Sequence, residues 1–207
     1  MIESPIGDFV DALAARTPAP GGGAAASLAG AMGAALMAMA LRFTQGKRAV
    51  ADREAEIAEA LQHVERGIAL MKPMAERDMA SFERVAAAYK LPHDNEEQKV
   101  VRSRAIQEAL AGAMVVPEEL VHMVRDVLRS TAGVADVVGR NIVSDLGAAT
   151  ELLLSAARAG ELLVRINAAY LHDREQAKLT LSRIGEVMAE VRRYHEQIDQ
   201  RVEALLK

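Results

Sequence analysis

The sequence predicts an all-α protein built as a multi-helix up-and-down bundle. Val and Ile recur at intervals of three and four residues rather than alternating, which is the spacing of a helix face. The sequence contains no Asn-Gly or Asp-Gly pair to mark a β-hairpin turn. Apolar residues make up 51 % of the 207 residues, so the chain can bury a sizeable core. We find no linker and no internal repeat, and we expect residues 1–207 to form one domain.

The first two predicted helices lie on either side of a loop rich in proline and glycine. Residues 6–15 predict a short helix with Phe9, Val10 and Leu13 facing inward. The second helix is predicted to run from the glycines to about Thr44.

This second predicted helix carries no charge between residues 24 and 41, a length close to that of a membrane span. Ala, Gly and Ser dominate it, and Ala adds little transfer free energy, so we interpret it as a buried bundle helix. Large side chains lie on one face and small ones on another, which allows close helix approach. The large face contains Leu28, Met32, Leu36 and Met39, and the small face contains Gly23, Ser27, Gly30 and Ala34.

Turn signals divide the next part of the chain into helices. Pro73 is expected to kink or restart a long helix, because proline removes a backbone donor. Asp94 or Asn95 is expected to cap a helix that ends near Ala113. Pro117 is expected in the first turn of the helix that follows.

The last third of the chain predicts two more long helices. Gly139 is the expected end of the helix that Pro117 opens. Ser144 is expected to cap the next helix, with Gly160 as a candidate break within it. Residues 174–206 predict a final charged helix.

Composition argues against several classes of function and compartment. A net charge of −4, three Phe, three Tyr and no Trp provide neither the basic surface nor the stacking platform of a nucleic-acid binder. The absence of Cys removes disulfides and thiolate chemistry. Glu3 lies where a signal peptide carries basic residues, and no apolar segment follows it, so we expect a cytoplasmic protein.

A single Glu-x-x-His pair, Glu119 and His122, raises the question of a metal site. A di-iron helical bundle needs two such pairs and two further carboxylates. No other histidine has a Glu three residues before it, so we expect no metal.

Polar residues on predicted inward faces are the first candidates for chemistry. Asp78 and Ser81 share a helical stripe with apolar neighbours, and a buried carboxylate must be paired or functional. The structural alternative for Asp78 is an Arg from another helix. Asn167 is a candidate on the same grounds, with a satisfied core amide as its alternative.

Predicted helix starts provide the remaining candidates. Gly21, Gly22 and Gly23 lead into a helix whose free N–H groups favour an anion, although glycines also serve tight turns. Ser144 and Asp145 follow a Gly-x-Asn turn, where an ordinary cap is the alternative. Lys47 is a further candidate for an anionic ligand, with a solvated surface charge as its alternative.

Five segments of the sequence together resemble one known family. They are TPAPGGGAAASLAGAMGAAL, TQGKR, RDMASFERVAAAYKLP, EEQKVVRSRAIQEALAGAMVVP and NIVSDLGAATELLLSAARAGELLVRIN, in that order. On these segments the chain resembles the formiminotransferase-cyclodeaminase / methenyltetrahydrofolate cyclohydrolase family, in its cyclodeaminase part, over nearly its whole length. It departs from the family pattern at Leu163-Val164, where Asn-Val is expected.

The resemblance implies an all-helical homodimer that binds a tetrahydrofolate near the glycine loop, with no cofactor besides this substrate. Standalone members of the family look like cyclohydrolases more often than deaminases, so methenyltetrahydrofolate cyclohydrolase is the expected activity. The substrate-binding residues that we expect are Pro20, Gly21, Gly22, Gly23, Lys47, Ser81, Asn141 and Asn167.

The expected chemistry adds water to a cationic amidinium carbon, which a positioned carboxylate can stabilise while it takes a proton from the water. Asp145 is the preferred candidate base and Asp78 its electrostatic or proton-shuttling partner. Ser144, Asn141 and Asn167 would orient water or hold the pterin edge. We expect the two carboxylates and the glycine loop to meet in one cavity.

Two alternatives stay open at the level of sequence. A formiminotetrahydrofolate cyclodeaminase, which releases ammonia, needs a carboxylate beside the same carbon. A helical dimer that binds folate without turnover would need none.

Overall fold

The structure, a computed structural model, describes residues 5–207, and the helices that it contains there are joined without any β-strand. This confirms the all-α prediction. Glu3, on which the signal-peptide argument depends, lies outside the described residues. The α-helices are α1 Ile6–Ala14, α2 Gly22–Thr44, α3 Glu54–Met71, α4 Met74–Tyr89, α5 Glu96–Ala113, α6 Val115–Ala132, α7 Val143–Ala169 and α8 Arg174–Leu206. Short 3₁₀ turns occupy Arg48–Arg53, Ala135–Val137 and Arg140–Ile142.

Helix α2 lies at the centre of the bundle and packs most extensively against α7. Its small face is buried as predicted, because these side chains let α7 come close. At Gly33 an added Cβ would lie 3.0 Å from both the Ala149 carbonyl oxygen and Leu153 Cγ, so a side chain there would force α7 to shift away. The small-residue face therefore sets the α2–α7 distance.

The two central helices run antiparallel. Gly22, at the start of α2, faces Leu163 in the last third of α7, whereas Gly33 faces Leu153, ten residues earlier in α7. The first turn of α2 is therefore next to the C-terminal part of α7, and the first turn of α7 is next to the last turn of α2.

The composition of α2 is explained by its place in the bundle. Within residues 5–207 it is the one helix that is long and apolar enough to cross a membrane, and 61 % of its most apolar window is buried among the other helices. Its large face is less buried than its small face: Met32 is 53 % exposed.

The prediction that α1 buries its apolar side chains is wrong. Phe9 is half-buried, Val10 is 53 % and Leu13 37 % exposed, and no residue of α1 is buried. The helix lies on the outside of α2, where a pattern of apolar spacing forms a surface stripe rather than core.

The predicted turns between α3 and α6 are confirmed. Helix α3 ends and α4 begins on either side of Pro73. Asn95 is the N-cap of α5, and its side chain accepts a hydrogen bond from the Gln98 N–H at 2.9 Å. Pro117 lies in the first turn of α6.

Three boundary predictions around α7 are wrong. Helix α6 ends at Ala132 rather than at Gly139, because the apolar positions that follow are buried in 3₁₀ turns instead of a helix. Ile142, not Ser144, precedes the first helical residue of α7. Helix α7 continues through Gly160, where an added Cβ would lie 3.1 Å from the Pro117 carbonyl oxygen, so this glycine serves the contact with α6 and does not break the helix.

Candidate functional site

A cavity of about 210 Å³ lies at the N-terminal end of α2. The glycine loop forms one wall, and α4, the α5–α6 boundary and α7 form the others. We call it the glycine-loop cavity. It is lined by Pro18, Ala19, Gly21, Gly22, Gly23, Asp78, Met79, Ser81, Phe82, Val85, Ala113, Pro117, Leu163 and Asn167.

The loop leaves the start of α2 without a side-chain cap. Its N-cap is Gly21, which has no side chain to accept from the first N–H groups of the helix. Pro20, which follows a cis peptide bond, is buried beneath the loop and does not line the cavity, although both of its neighbours do. The predicted anion-favouring helix start is thus present at the cavity wall.

The carboxylate of Asp78, on α4, occupies this helix start. It accepts a hydrogen bond from the backbone N–H of Ala24, in the first turn of α2. It also lies so close to Gly23 that an added Cβ there would overlap both carboxylate oxygens. A carboxylate from a different helix therefore caps α2, with the favourable sign for the helix dipole.

Burial raises the pKa of Asp78 above its ordinary value, and the hydrogen bond from the Ala24 N–H offsets part of this rise. No basic side chain of residues 5–207 forms an ion pair with Asp78, so the structural alternative of an Arg partner does not apply there. The adjacent Arg77 is instead held by Glu119 through two hydrogen bonds of 2.6 and 3.1 Å. A half-buried carboxylate without a cation partner is suited to accept a proton or to face a cationic ligand.

Ser81 and Asn167 also reach the glycine-loop cavity, as predicted. The Ser81 hydroxyl donates to the Arg77 carbonyl at 2.9 Å, and the Asn167 amide donates to the Leu163 carbonyl at 2.8 Å. Each side chain thus uses a donor within its own helix. Both side chains can offer a ligand an acceptor oxygen, which suits the N–H groups at the edge of a heterocycle, and Asn167 also keeps a second amide N–H.

The remaining predicted residues lie at the opposite end of α2 and α7. Asp145 and Ser144 are in the first turn of α7, and 18 residues of helix, a rise of about 27 Å, separate Asp145 from Leu163 in the cavity wall. The prediction that Asp145 and Asp78 share one cavity is therefore wrong within a single chain. The physical reason is the antiparallel packing of α2 and α7.

Lys47 and Asn141 accompany Asp145 at that far end. A Cβ built on Gly139 would lie 2.9 Å from Asn141 Oδ1 and 3.5 Å from Lys47 Nζ, so these two side chains are neighbours around one turn. They do not line the glycine-loop cavity. Their expected contacts with substrate stay predictions.

Several lining residues were not predicted as part of a site. Phe82 and Val85 belong to the stripe that contains Asp78, and that shared face was the available signal. Pro117 was interpreted only as a helix start, and nothing in the sequence connects it with α4. These apolar side chains form part of the cavity wall beside Asp78.

No group of three His, Asp or Glu side chains in the described part of the chain is arranged to hold a metal ion. Glu119, of the Glu-x-x-His pair, is engaged with Arg77. The expectation that no metal takes part stays a prediction.

Comparison with known proteins links this geometry to one family. The family model described as Formiminotransferase-cyclodeaminase matches residues 5–186. A methenyltetrahydrofolate cyclohydrolase of Methylorubrum extorquens is 35 % identical over 196 residues, which cover 95 % of this chain and 94 % of that protein.

Two further relatives carry the deaminase name. The formimidoyltransferase-cyclodeaminase of Rattus norvegicus is 27 % identical over 93 % of this chain, which spans 36 % of that longer protein. The crystal structure of a formiminotetrahydrofolate cyclodeaminase from Thermotoga maritima superposes with a TM-score of 0.88 and 27 % identity, covering 99 % of this chain and 98 % of that one.

The raised pKa of Asp78 predicts a specific dependence of stability on pH. Because the folded protein binds the Asp78 proton more tightly than the unfolded chain, ionisation of this group lowers the free energy of unfolding as pH rises from the ordinary value of 3.8 to the raised value. Asp78→Asn removes this loss of stability, because the amide does not ionise. We therefore expect the Asn variant to melt at the same temperature as the wild type, or higher, at pH 7. Its advantage should vanish below pH 3.8.

Calorimetric or circular-dichroism melting curves over this pH range provide the measurement. A variant that melts well below the wild type at pH 7, with the difference closing at low pH, would mean that the ionised carboxylate is stabilised rather than strained by its surroundings.

Proposed function

Because this chain belongs to the formiminotransferase-cyclodeaminase family, we propose that it is a methenyltetrahydrofolate cyclohydrolase, which hydrolyses methenyltetrahydrofolate to formyltetrahydrofolate in one-carbon metabolism. The observation that carries the proposal is the Asp78 carboxylate, desolvated and without a cation partner among the described residues, in the wall of the glycine-loop cavity. Its surroundings suit a substrate whose reacting carbon is positively charged.

The reaction needs a group that accepts and returns a proton at one carbon. Water attacks the amidinium carbon, and its oxygen forms the new C–O bond while one proton passes to the Asp78 carboxylate. The neutral carbinolamine then collapses: one C–N bond breaks, Asp78 returns its proton to the departing nitrogen, and the hydroxyl proton leaves to solvent as the formyl carbonyl forms. One proton is released in each turnover.

The electrostatics at Asp78 fit both parts of this cycle. The raised pKa makes the carboxylate a better base near neutral pH than an ordinary aspartate. The bound cation favours the ionised form and so prepares the base for the first step, whereas loss of the cation in the carbinolamine raises the pKa again and favours retention of the proton. The apolar wall keeps these interactions strong, because it limits water.

The other cavity residues position the substrate in this proposal. The bare backbone of Gly21 and Gly22 lets the pterin approach α2 closely. Ser81 and Asn167 present acceptor oxygens to its N–H edge. The face of Phe82 supplies a wall for the ring.

The second candidate activity is formiminotetrahydrofolate cyclodeamination, supported by the structural similarity to the Thermotoga maritima enzyme of that name. In that reaction a folate nitrogen attacks the formimino carbon, and Asp78 would give its proton to the departing ammonia. The higher identity with the cyclohydrolase, 35 % against 27 %, favours hydrolysis. A side-by-side assay of the two substrates separates them.

We also propose that the protein acts as a cytoplasmic homodimer of single-domain subunits, with no metal and no cofactor beyond the folate substrate. Support for a dimer comes from the uncovered apolar surface of α1 and α2, where Val10, Met32 and Phe43 are each more than half exposed. A second copy of the chain would bury this surface.

The first test of the function is loss of the methenyltetrahydrofolate chromophore above the uncatalysed rate. We expect Asp78→Asn to lower kcat by about 100-fold or more, the usual contribution of a general base. Asp145→Asn tests the sequence-based assignment of the base and should retain most of the activity, because its carboxylate lies at the other end of α7. A larger loss of activity in Asp145→Asn than in Asp78→Asn would overturn the assignment of the base to Asp78. If the wild type binds methenyltetrahydrofolate without turning it over, the protein is a folate-binding module rather than an enzyme.

A matched pair of glycine substitutions tests the position of the carboxylate. Gly23→Ala places a methyl group where the Asp78 carboxylate lies, so the carboxylate must move and kcat should fall at least about tenfold, since small displacements of a catalytic group are costly. Gly185→Ala is the control, because its Cβ would meet nothing within 4 Å and Gly185, on α8, does not line the glycine-loop cavity. Steady-state kinetics with both purified variants provide the measurement. Equal activity of the two variants would contradict the proposed geometry.

A further inference from the structure

A second pocket, of about 450 Å³, lies where α4 ends and α5 begins, beside the last turn of α7. We call it the basic pocket. It is lined by Tyr89, His93, Lys99, Arg102, Ser103, Ile106, Gln107, Tyr170 and His172.

The basic pocket continues the surface that forms the glycine-loop cavity. On α4, Phe82 and Val85 line the cavity, and Tyr89 lines the basic pocket. At the C-terminal end of α7, Asn167 lines the cavity, and Tyr170, the C-cap residue whose backbone is still helical, lines the basic pocket. Residues three, four or seven apart share one face of a helix, so the same faces of α4 and α7 look onto both sites.

The separation of the two sites follows from the helices that they share. Seven residues, a rise of about 10 Å, lie between Phe82 and Tyr89 on α4. The same interval lies between Ala113 of the cavity and Ile106 of the basic pocket on α5. The two sites therefore lie about 10 Å apart along the same helices, roughly the length of one aromatic ring and its substituents, and we call the surface that they share the groove.

The two ends of this groove carry opposite charge. The titratable residue of the cavity lining is the acid Asp78, whereas the basic pocket is lined by Lys99, Arg102 and two histidines and by no carboxylate. Lys99 pairs with Glu96 at 2.6 Å, but both side chains are more than half exposed, so a ligand carboxylate can replace Glu96 at small cost.

The guanidinium of Arg102 is held in place within the basic pocket. It donates to the Tyr89 carbonyl at 3.1 Å and lies 5.9 Å from the centre of the Tyr89 ring. A fixed guanidinium loses little freedom when it binds a carboxylate. Tyr89 and Tyr170, 46 % and 60 % exposed, leave aromatic surface beside it for a ligand ring.

We propose that the basic pocket binds the carboxylates at the glutamate end of the folate substrate while the cationic methenyl carbon lies beside Asp78. This inference rests on the proposed function. The substrate carries its positive charge at the methenyl carbon and its negative charges on the glutamate, with an aminobenzoyl ring between them, which is the order of charges that the groove complements. Each added γ-linked glutamate brings another carboxylate to the same end.

The test uses p-aminobenzoyl-triglutamate, which contains the ring and the tail but no pterin and no reacting carbon. We expect calorimetric titration to give a dissociation constant about tenfold larger, or more, for the double variant Lys99→Gln/Arg102→Gln than for the wild type, because two charge-assisted contacts are lost. Arg104→Gln is the matched control on α5, since Arg104 is exposed, pairs with Glu108 and does not line the basic pocket. It should bind as the wild type does. Circular-dichroism melting checks that the double variant is folded.

Steady-state kinetics provide the second measurement. With triglutamyl methenyltetrahydrofolate, the double variant should show KM raised about tenfold and kcat unchanged, with a smaller change in KM for the monoglutamyl substrate. If the wild type turns over neither substrate, the proposed function is wrong. The titration with p-aminobenzoyl-triglutamate still tests whether the basic pocket binds the glutamate tail. Two results would contradict the proposal that the basic pocket binds the glutamate carboxylates. One is equal affinity of the wild type and the folded double variant for p-aminobenzoyl-triglutamate, and the other is no saturable binding by the wild type.

Discussion

The site depends on one contact: the carboxylate of Asp78, which belongs to α4, caps the first turn of α2, where the N-cap residue has no side chain to do so. The contact requires glycine at position 23, since any Cβ there would occupy the space of the carboxylate. It also requires that the N-cap, Gly21, have no side chain of its own to satisfy the Ala24 N–H. The triple glycine thus lets an acidic group from another helix cap α2 while the loop leaves a cavity beside it.

Small residues continue along α2 and allow the close helix packing that positions this contact. Gly30 and Gly33 bring Ala156 and Leu153 of α7 against α2, and this close antiparallel packing puts Asn167 beside the start of α2. Helix α4 is tied to α6 by the Arg77–Glu119 pair, one residue from Asp78. The carboxylate therefore belongs to a helix that contacts both α2 and α6 rather than to a loop.

Much of this could be predicted from the sequence, because it is local. The helix class, the restart at Pro73, the Asn95 cap and the inward place of Asp78, Ser81 and Asn167 follow from spacing and turn chemistry along one segment. The match to a known family model over residues 5–186 agrees with the resemblance that the glycine loop and the Ser-Asp-x-Gly segment indicate.

What could not be predicted depends on how segments meet. Asp145 has the residue type and helix-start position expected of a base, but the relative direction of α2 and α7 places it about 27 Å of helix from the cavity wall. The apolar residues of α1 have the spacing of a core helix. Nothing in the sequence indicates that no other helix packs over them. The basic pocket combines residues of α4 and α5 with residues of the two segments that connect α4 to α5 and α7 to α8, and none of these residues is a signal on its own.

The central claim is that Asp78 is a desolvated base that meets a cationic substrate, and a site-resolved titration tests it most directly. In protein labelled with ¹³C at the aspartate carboxyl carbon, with Asp78→Asn used to assign the resonance, the account predicts a pKa above the ordinary aspartate value in the free protein and a lower pKa when methenyltetrahydrofolate is bound. An ordinary pKa that does not change on binding would contradict it.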